Sequence, residues 1–228
     1  MNVEMSSVER RARVHAALGD PARLVIADAL AIGDASPSEI ADRLGMSSNL
    51  VAHHLGVLTD AGVITRSRSE HDRRRSYVRL RPDSLAAFGS PGFAVPRRVV
   101  FVCTRNSARS QLAAAVWRSR SAVPAASAGT EPAARVNPRA VRAARRHGLR
   151  LAAQRTASLD AVAADGDLLI AVCDHVHETL PAALTRLHWS VPDPVPVDTD
   201  VAFEAAFADI SERIGRLVPA ITVGGSRP

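Results

Sequence analysis

Lysine is missing from this chain: all 29 basic residues are arginine, set against 23 acidic ones, for a formal charge of +6. An arginine bias this general belongs to the composition of the whole sequence, so the net charge by itself argues weakly for nucleic acid. Cysteine is nearly missing too. Cys103 and Cys173 are too few for a disulfide framework, and a cytoplasmic setting is expected. There is no run of 18 or more apolar residues and no charged-then-apolar leader, so neither membrane insertion nor export is expected. Aromatic residues make up only 4%, so cores of Ala, Val, Leu and Ile are expected. What remains is 228 residues, enough for one large domain or two small ones.

The first 85 or so residues read as short helices followed by one hairpin. Residues 20–30, DPARLVIADAL, have Asp20 as N-cap, Pro21 at the first helical position and apolar residues at helical spacing. Residues 36–45, SPSEIADRLG, open with the capping box Ser36 and Glu39 and close on Gly45. Residues 47–62, SSNLVAHHLGVLTDAG, give a third helix, and the pair either side of Gly45 has the proportions of a helix-turn-helix. Two strand-like runs follow in residues 63–81. There Arg66, Arg68, Arg73, Arg74, Arg75, Arg79 and Arg81 meet only Glu70 and Asp72. Because region 1–96 holds twelve Arg against eleven acids, its positive charge is concentrated in this hairpin. A basic hairpin directly after a helix-turn-helix reads as a wing lying along phosphates, although a charge run can also be no more than a solvated face.

LGDPARLVIADAL and SSNLVAHHLGVLTDAGVI, within residues 8–85, resemble the ArsR-type winged-helix repressors. The resemblance implies a homodimer through the first and last helices of this half, a DNA operator as partner, and Ser48, Asn49 and His53 near base edges or phosphates. His54, about 100° around the helix from His53, is then partly packed. This half has no cysteine where arsenic sensors of the family hold the metalloid, and its histidines lack a ligand spacing for zinc, so no metal is expected. The small, Gly- and Pro-containing stretch 86–96 reads as a linker. The expected organisation is 1–85 DNA-binding, 86–96 linker and 97–228 a second domain.

In the second half, strand-like runs at 98–103, 122–129, 167–173 and 186–191 alternate with helical stretches near 110–120, 138–147, 179–185 and 201–218. That alternation predicts an α/β domain with a four-stranded parallel sheet and helices on both faces. Ligands of such sheets sit at the strand carboxyl ends, where Cys103 falls. Cys-x5-Arg alone is weak, since Arg fills 29 of 228 positions and lands six after a given Cys roughly one time in eight. Its context adds weight. The loop of Thr104, Arg105, Asn106, Ser107, Ala108 and Arg109 leads into a helix N-terminus, where backbone N–H groups and the helix dipole converge on an anion and favour a thiolate. Arg109 can hold two oxygens of a tetrahedral oxyanion, Ser110 can hydrogen-bond the sulfur, and Asn106 can adopt an unusual backbone conformation. These are the parts of a nucleophile aimed at a phosphate-like centre. Asp193, between two prolines, supplies a proton for the departing oxygen if it is more than a turn residue.

Residues 97–218 resemble the low-molecular-weight protein tyrosine phosphatase fold and, within it, the arsenate reductases. The resemblance makes Cys103 the nucleophile, Arg109 the oxyanion clamp, Ser110 the thiolate partner and Asp193 the general acid. Ser-Gln at 110–111, SAGT at 127–130, VNPRAV at 136–141 and the segment HWSVPDP lean toward arsenate. No tyrosine follows Asp193 to grip an aryl substrate, and Arg105 stands where the family usually has Gly. In thioredoxin-linked members a second cysteine after the third strand attacks the arsenylated nucleophile and a third, seven residues on, carries the disulfide to the surface. Cys173 stands at the second position and Leu180 at the third. The implied function is a DNA-binding regulator fused to a cysteine-dependent arsenate reductase. No tightly bound cofactor is expected, only an external thiol reductant of thioredoxin, mycothiol or glutathione type. The alternatives are a phosphatase fused to a regulator, or a catalytically silent thiol sensor. For Cys173 itself, a resolving thiol and a small buried hydrophobe remain open.

Overall fold

A helix begins where a side chain can accept the backbone N–H groups that have no partner within its first turn, and three helices of the amino-terminal half show this rule at work. The computed structural model describes residues 2–81, 95–151 and 155–223, with backbone only at 2–8 and 222–223. The chain folds as two compact units, Met1–Pro91 and Gly92–Pro228.

The first unit opens with α1 (Asn2–Leu18), a helix that the sequence reading passed over. In α2 (Pro21–Ile32) the Asp20 carboxylate accepts the Arg23 N–H at 3.0 Å. In α3 (Pro37–Leu44) the capping box closes in both directions, Ser36 N–H to Glu39 Oε2 at 2.7 Å and Glu39 N–H to Ser36 Oγ at 3.3 Å. Gly45, at φ 61°, reverses the chain toward α4 (Ser48–Asp60), a left-handed conformation that glycine takes without strain. β1 (Ile64–Arg68) and β2 (Ser76–Leu80) form the hairpin, pairing antiparallel from Ile64↔Leu80 to Arg68↔Ser76. Ile26, Leu30, Val51, Leu55, Leu58, Val63 and Leu80 join one buried cluster that fixes the helices against the hairpin root. Most of the expected linker, residues 86–94, lies outside the described residues.

The second unit is a four-stranded parallel sheet, as the alternating pattern predicted, built from β3 (Arg98–Cys103), β4 (Ala125–Gly129), β5 (Asp167–Ala171) and β6 (Arg186–His188), and its strand order is β4-β3-β5-β6. α5 (Arg109–Arg120), α6 (Pro138–Arg146) and α10 (Asp200–Val223) pack on one another, while α8 (Asp174–Thr179) lies against β3 and β5. Two short helices were not foreseen, α7 (Leu159–Val162) and α9 (Pro194–Val197). The helix expected at 179–185 instead occupies Asp174–Thr179. Pro181 forces Leu180 into the extended conformation (φ −70°, ψ 144°) and stops it. The few aromatics carry more of this core than their number suggests, since Phe101 lies 6.0 Å from Trp117 and 5.7 Å from Trp189, ring centre to ring centre.

Candidate functional site

β3 runs between β4 and β5 and is buried from Val99 to Cys103, so Cys103 ends at the carboxyl edge of the sheet with strands on both sides. The loop after it is laced to the segment following β4. The carbonyls of Cys103, Thr104, Arg105 and Ser107 accept the N–H groups of Thr130 (3.4 Å), Glu131 (2.8 Å), Ala133 (2.9 Å) and Asn137 (2.8 Å). A loop whose carbonyls are drawn to one side presents its N–H groups on the other, as in an anion nest. The lacing requires close approach at Gly129, paired with Cys103, where a Cβ would lie 2.8 Å from the Thr104 carbonyl oxygen and 3.0 Å from the Asn106 nitrogen. α5 starts at Ala108 without a side-chain cap, which leaves its first-turn donors and its dipole directed at the same space.

A buried relay of hydrogen bonds ends on the sulfur. Gln111 Nε2 donates to Asn106 Oδ1 (3.1 Å), Asn106 Nδ2 donates to Ser110 Oγ (2.8 Å), and Ser110 Oγ lies 3.0 Å from Cys103 Sγ. With its oxygen accepting from Asn106, the Ser110 hydroxyl is free to turn its own hydrogen to a thiolate at Cys103, which would polarise the chain of donors toward the sulfur. Asn106 sits at φ 48°, and the Ala157 N–H on its Oδ1 at 2.9 Å helps hold that strained conformation. The buried Arg109 donates from Nη1 to the Val191 carbonyl (2.9 Å) and from Nη2 to Asp193 Oδ2 (2.7 Å). The other Asp193 oxygen accepts the Val195 N–H at 3.1 Å, so Asp193 caps α9 and its carboxylate is held from two directions.

Cys173 is buried at the N-cap of α8, its sulfur 3.6 Å from Thr104 Oγ1. Neither cysteine is in a disulfide. Burial pushes the Cys173 thiol up from its ordinary value, opposed by the Arg109 guanidinium and reinforced by the neighbouring Cys103. The structure thus brings Cys103, Arg109, Ser110, Asp193 and Cys173 to one end of the sheet, together with Thr104, Asn106, Ser107 and Ala108. The Arg105 side chain is different: 59% exposed, it turns to Glu131 Oε2 at 3.5 Å. Gln111, Gly129, Ala157 and the Val191 carbonyl escaped the sequence reading as site members, although Gln111, Gly129 and Val191 lie in stretches it had singled out. Among the described residues no group of three His, Cys, Asp or Glu side chains could hold a metal ion.

In the other unit, Ser48, Asn49 and His53 are exposed on α4 whereas His54 is buried. Arg66, Arg68, Arg73, Arg74 and Arg75 are exposed on the hairpin, whose second strand buries Tyr77, Val78 and Leu80. Asp72 engages Arg74 Nε at 3.1 Å and Arg75 Nε at 3.9 Å.

Residues 98–224 match the family of low molecular weight phosphotyrosine protein phosphatases, and residues 18–67 match a helix-turn-helix domain family. An arsenate reductase of Brevibacillus brevis is 37% identical over 105 residues, spanning 43% of this chain and 77% of its own. One from Halalkalibacterium halodurans is 31% identical over 135 residues, spanning 56% of this chain and 96% of its own. The solved tyrosine phosphatase of Erwinia amylovora, 18% identical, has a TM-score of 0.50 and covers 56% of this chain and 94% of its own, a likeness of fold. No helix among the described residues is long and apolar enough to cross a membrane.

Proposed function

This chain belongs to the low molecular weight phosphotyrosine protein phosphatase family through residues 98–224, with a helix-turn-helix domain ahead of them, and from that footing we propose a DNA-binding regulator joined to a thiol-dependent arsenate reductase. The observation that carries the enzymatic half is the second thiol: Cys173 lies against Thr104, in the loop that begins at Cys103. A phosphatase, whose intermediate is opened by water, has no use for it.

The reaction follows from the bonds. Arsenate settles on the loop N–H groups and the Arg109 guanidinium, taking the place of Asp193 on Nη2. The Cys103 thiolate attacks arsenic and an As–O bond breaks. Asp193, released from Arg109, takes up a proton from the incoming hydrogen arsenate or from solvent and passes it to the departing oxygen, which leaves as water. Cys173, as thiolate, then attacks Cys103 Sγ. An S–S bond forms, the S–As bond breaks with its electron pair going to arsenic, and arsenite leaves while two thiols have become one disulfide. A reductant of thioredoxin, mycothiol or glutathione type reopens that disulfide, because no third cysteine exists to relay it.

The DNA-binding half rests on the exposed Ser48, Asn49 and His53 of α4 and the arginines of the hairpin, which supply base-edge and phosphate contacts respectively. The deciding experiment incubates the reduced protein with arsenate and a thiol and measures arsenite, beside aryl-phosphate hydrolysis. Arsenite formation with slow hydrolysis is expected. Fast aryl-phosphate turnover with no arsenite would make the protein a phosphatase.

A further inference from the structure

Asp174 and His188 are almost wholly buried, 4% and 2% exposed, and bonded from His188 Nε2 to Asp174 Oδ1 at 3.0 Å. Such a pair is costly to desolvate and gives little net stability over apolar side chains of the same size, but it fixes geometry sharply. What it fixes follows from its two ends. Asp174 directly follows Cys173 and opens α8, whereas His188 closes β6 in register with Ala171 of β5. A few residues beyond His188, Val191 and Asp193 hold the Arg109 guanidinium.

Further contacts fasten α8 to β6. The His177 ring stacks on His188, centres 4.1 Å apart and 6° from parallel, while the His177 N–H donates to the Cys173 carbonyl at 3.3 Å. Arg186, at the start of β6, donates to the carbonyls of His177 and Leu180. Cys173 is therefore mounted on a helix clamped along its length, and the clamp strand continues into the segment that orients Arg109 and Asp193.

We propose that the Asp174–His188 pair positions Cys173 for its attack on the Cys103 adduct, by locking the first turn of α8 to the strand leading to Asp193. These are positioning residues; neither touches the reacting atoms. The proposal rests on the reading of Cys173 as the resolving thiol. An S–S bond forms only if the attacking sulfur lies in line with the bond it breaks, so a shift of about 1 Å in the first turn of α8 can cost about 10²-fold in rate.

The test uses the full, reduced chain in a single turnover with arsenate and no added thiol, following the Cys103–Cys173 disulfide by mass and arsenite by release. The anion site is read separately, as arsenate protection of Cys103 against iodoacetamide. His188→Leu should slow disulfide formation about 10²-fold with the protection midpoint unchanged. His188→Gln, whose amide can still donate to Asp174, should recover most of the rate. If His188→Leu does not fold, Asp174→Asn serves: it keeps volume and acceptor, weakens the charge-assisted bond, and should slow the disulfide about tenfold while leaving protection intact. Parent rates in these variants, or equal losses in protection and disulfide formation, would overturn the proposal. Cys173→Ser separates the two levels. If it releases arsenite as fast as the parent, the resolving role of Cys173 fails, and the proposal with it. If it stalls while the His188 and Asp174 variants run at parent rate, only the positioning role fails.

Discussion

At the scale of the residue, Cys103 is 3% exposed and touches a single hydroxyl, that of Ser110, which accepts in turn from Asn106. Serine at 103 would fit the same space and keep the relay, but an alcohol oxygen is a far weaker nucleophile than sulfur. Cys103→Ser is therefore expected to abolish arsenite formation while leaving thermal unfolding unchanged, measured side by side. Asp193→Asn should slow turnover by about 10²–10⁴-fold, the usual contribution of positioned proton transfer. Full activity across pH would remove Asp193 from the mechanism. Cys173 gives a pH prediction with a definite sign. Burial raises its thiol above the ordinary value, so the attacking thiolate is scarce at neutral pH and grows as pH rises. The single-turnover rate of disulfide formation should thus climb from pH 7 upward, and a flat profile would show that Cys173 does not attack. Most of these residues could be read from the chain, because Cys103, Arg109 and Ser110 lie within one short stretch running from the end of β3 into the start of α5. Gln111 could not, since its work is to hold Asn106 through a carbonyl geometry that only the folded loop creates.

Elements are held by longer-range pairs. Arg98, which starts β3, bonds Asp167, which starts β5, through Nε at 3.0 Å, and the Ala164 N–H also reaches this carboxylate. The Arg98 hydrogen bond is the main cause holding the Asp167 carboxyl below its ordinary value, so it favours the folded state above the unfolded-chain value near 4. The stabilisation is lost as pH falls through the lower, folded value. Asp167→Asn should accordingly cost roughly 1–3 kcal/mol near neutrality, and the gap to the parent should close in acid, as urea unfolding at several pH values would show. The hairpin yields a different prediction. Neutralising Arg73, Arg74 and Arg75 should weaken binding to all DNA sequences alike and flatten the plot of log affinity against log salt by up to about 3 units. An unchanged salt slope would leave the hairpin a solvated turn. Caps and strand alternation made α2, α3, α4 and the parallel sheet legible. α7 and α9 were not, being four residues each, too short for a periodic pattern to show.

For the whole molecule, the helix-turn-helix half carries the expectation of a dimer, since such folds read paired half-sites about 10–10.5 bp apart. Sedimentation of the full chain should give twice the monomer mass, and an operator with one half-site removed should bind more weakly. A monomer binding both operators equally would refute this. The sequence by itself determined the helix starts at Asp20, Ser36 and Ser47, the basic hairpin, the βα alternation and the thiol loop, because each is written within a window of about a dozen residues. Only the tertiary structure decided that Arg109 meets Asp193 across 84 residues, that Thr104 meets Cys173 across 69, and that Asp174 locks to His188. Those meetings follow from the strand order β4-β3-β5-β6, which brings the carboxyl ends of β3, β5 and β6 side by side. No local propensity encodes that order; it is set by how the crossovers bury the most apolar surface, a property of the folded chain as a whole.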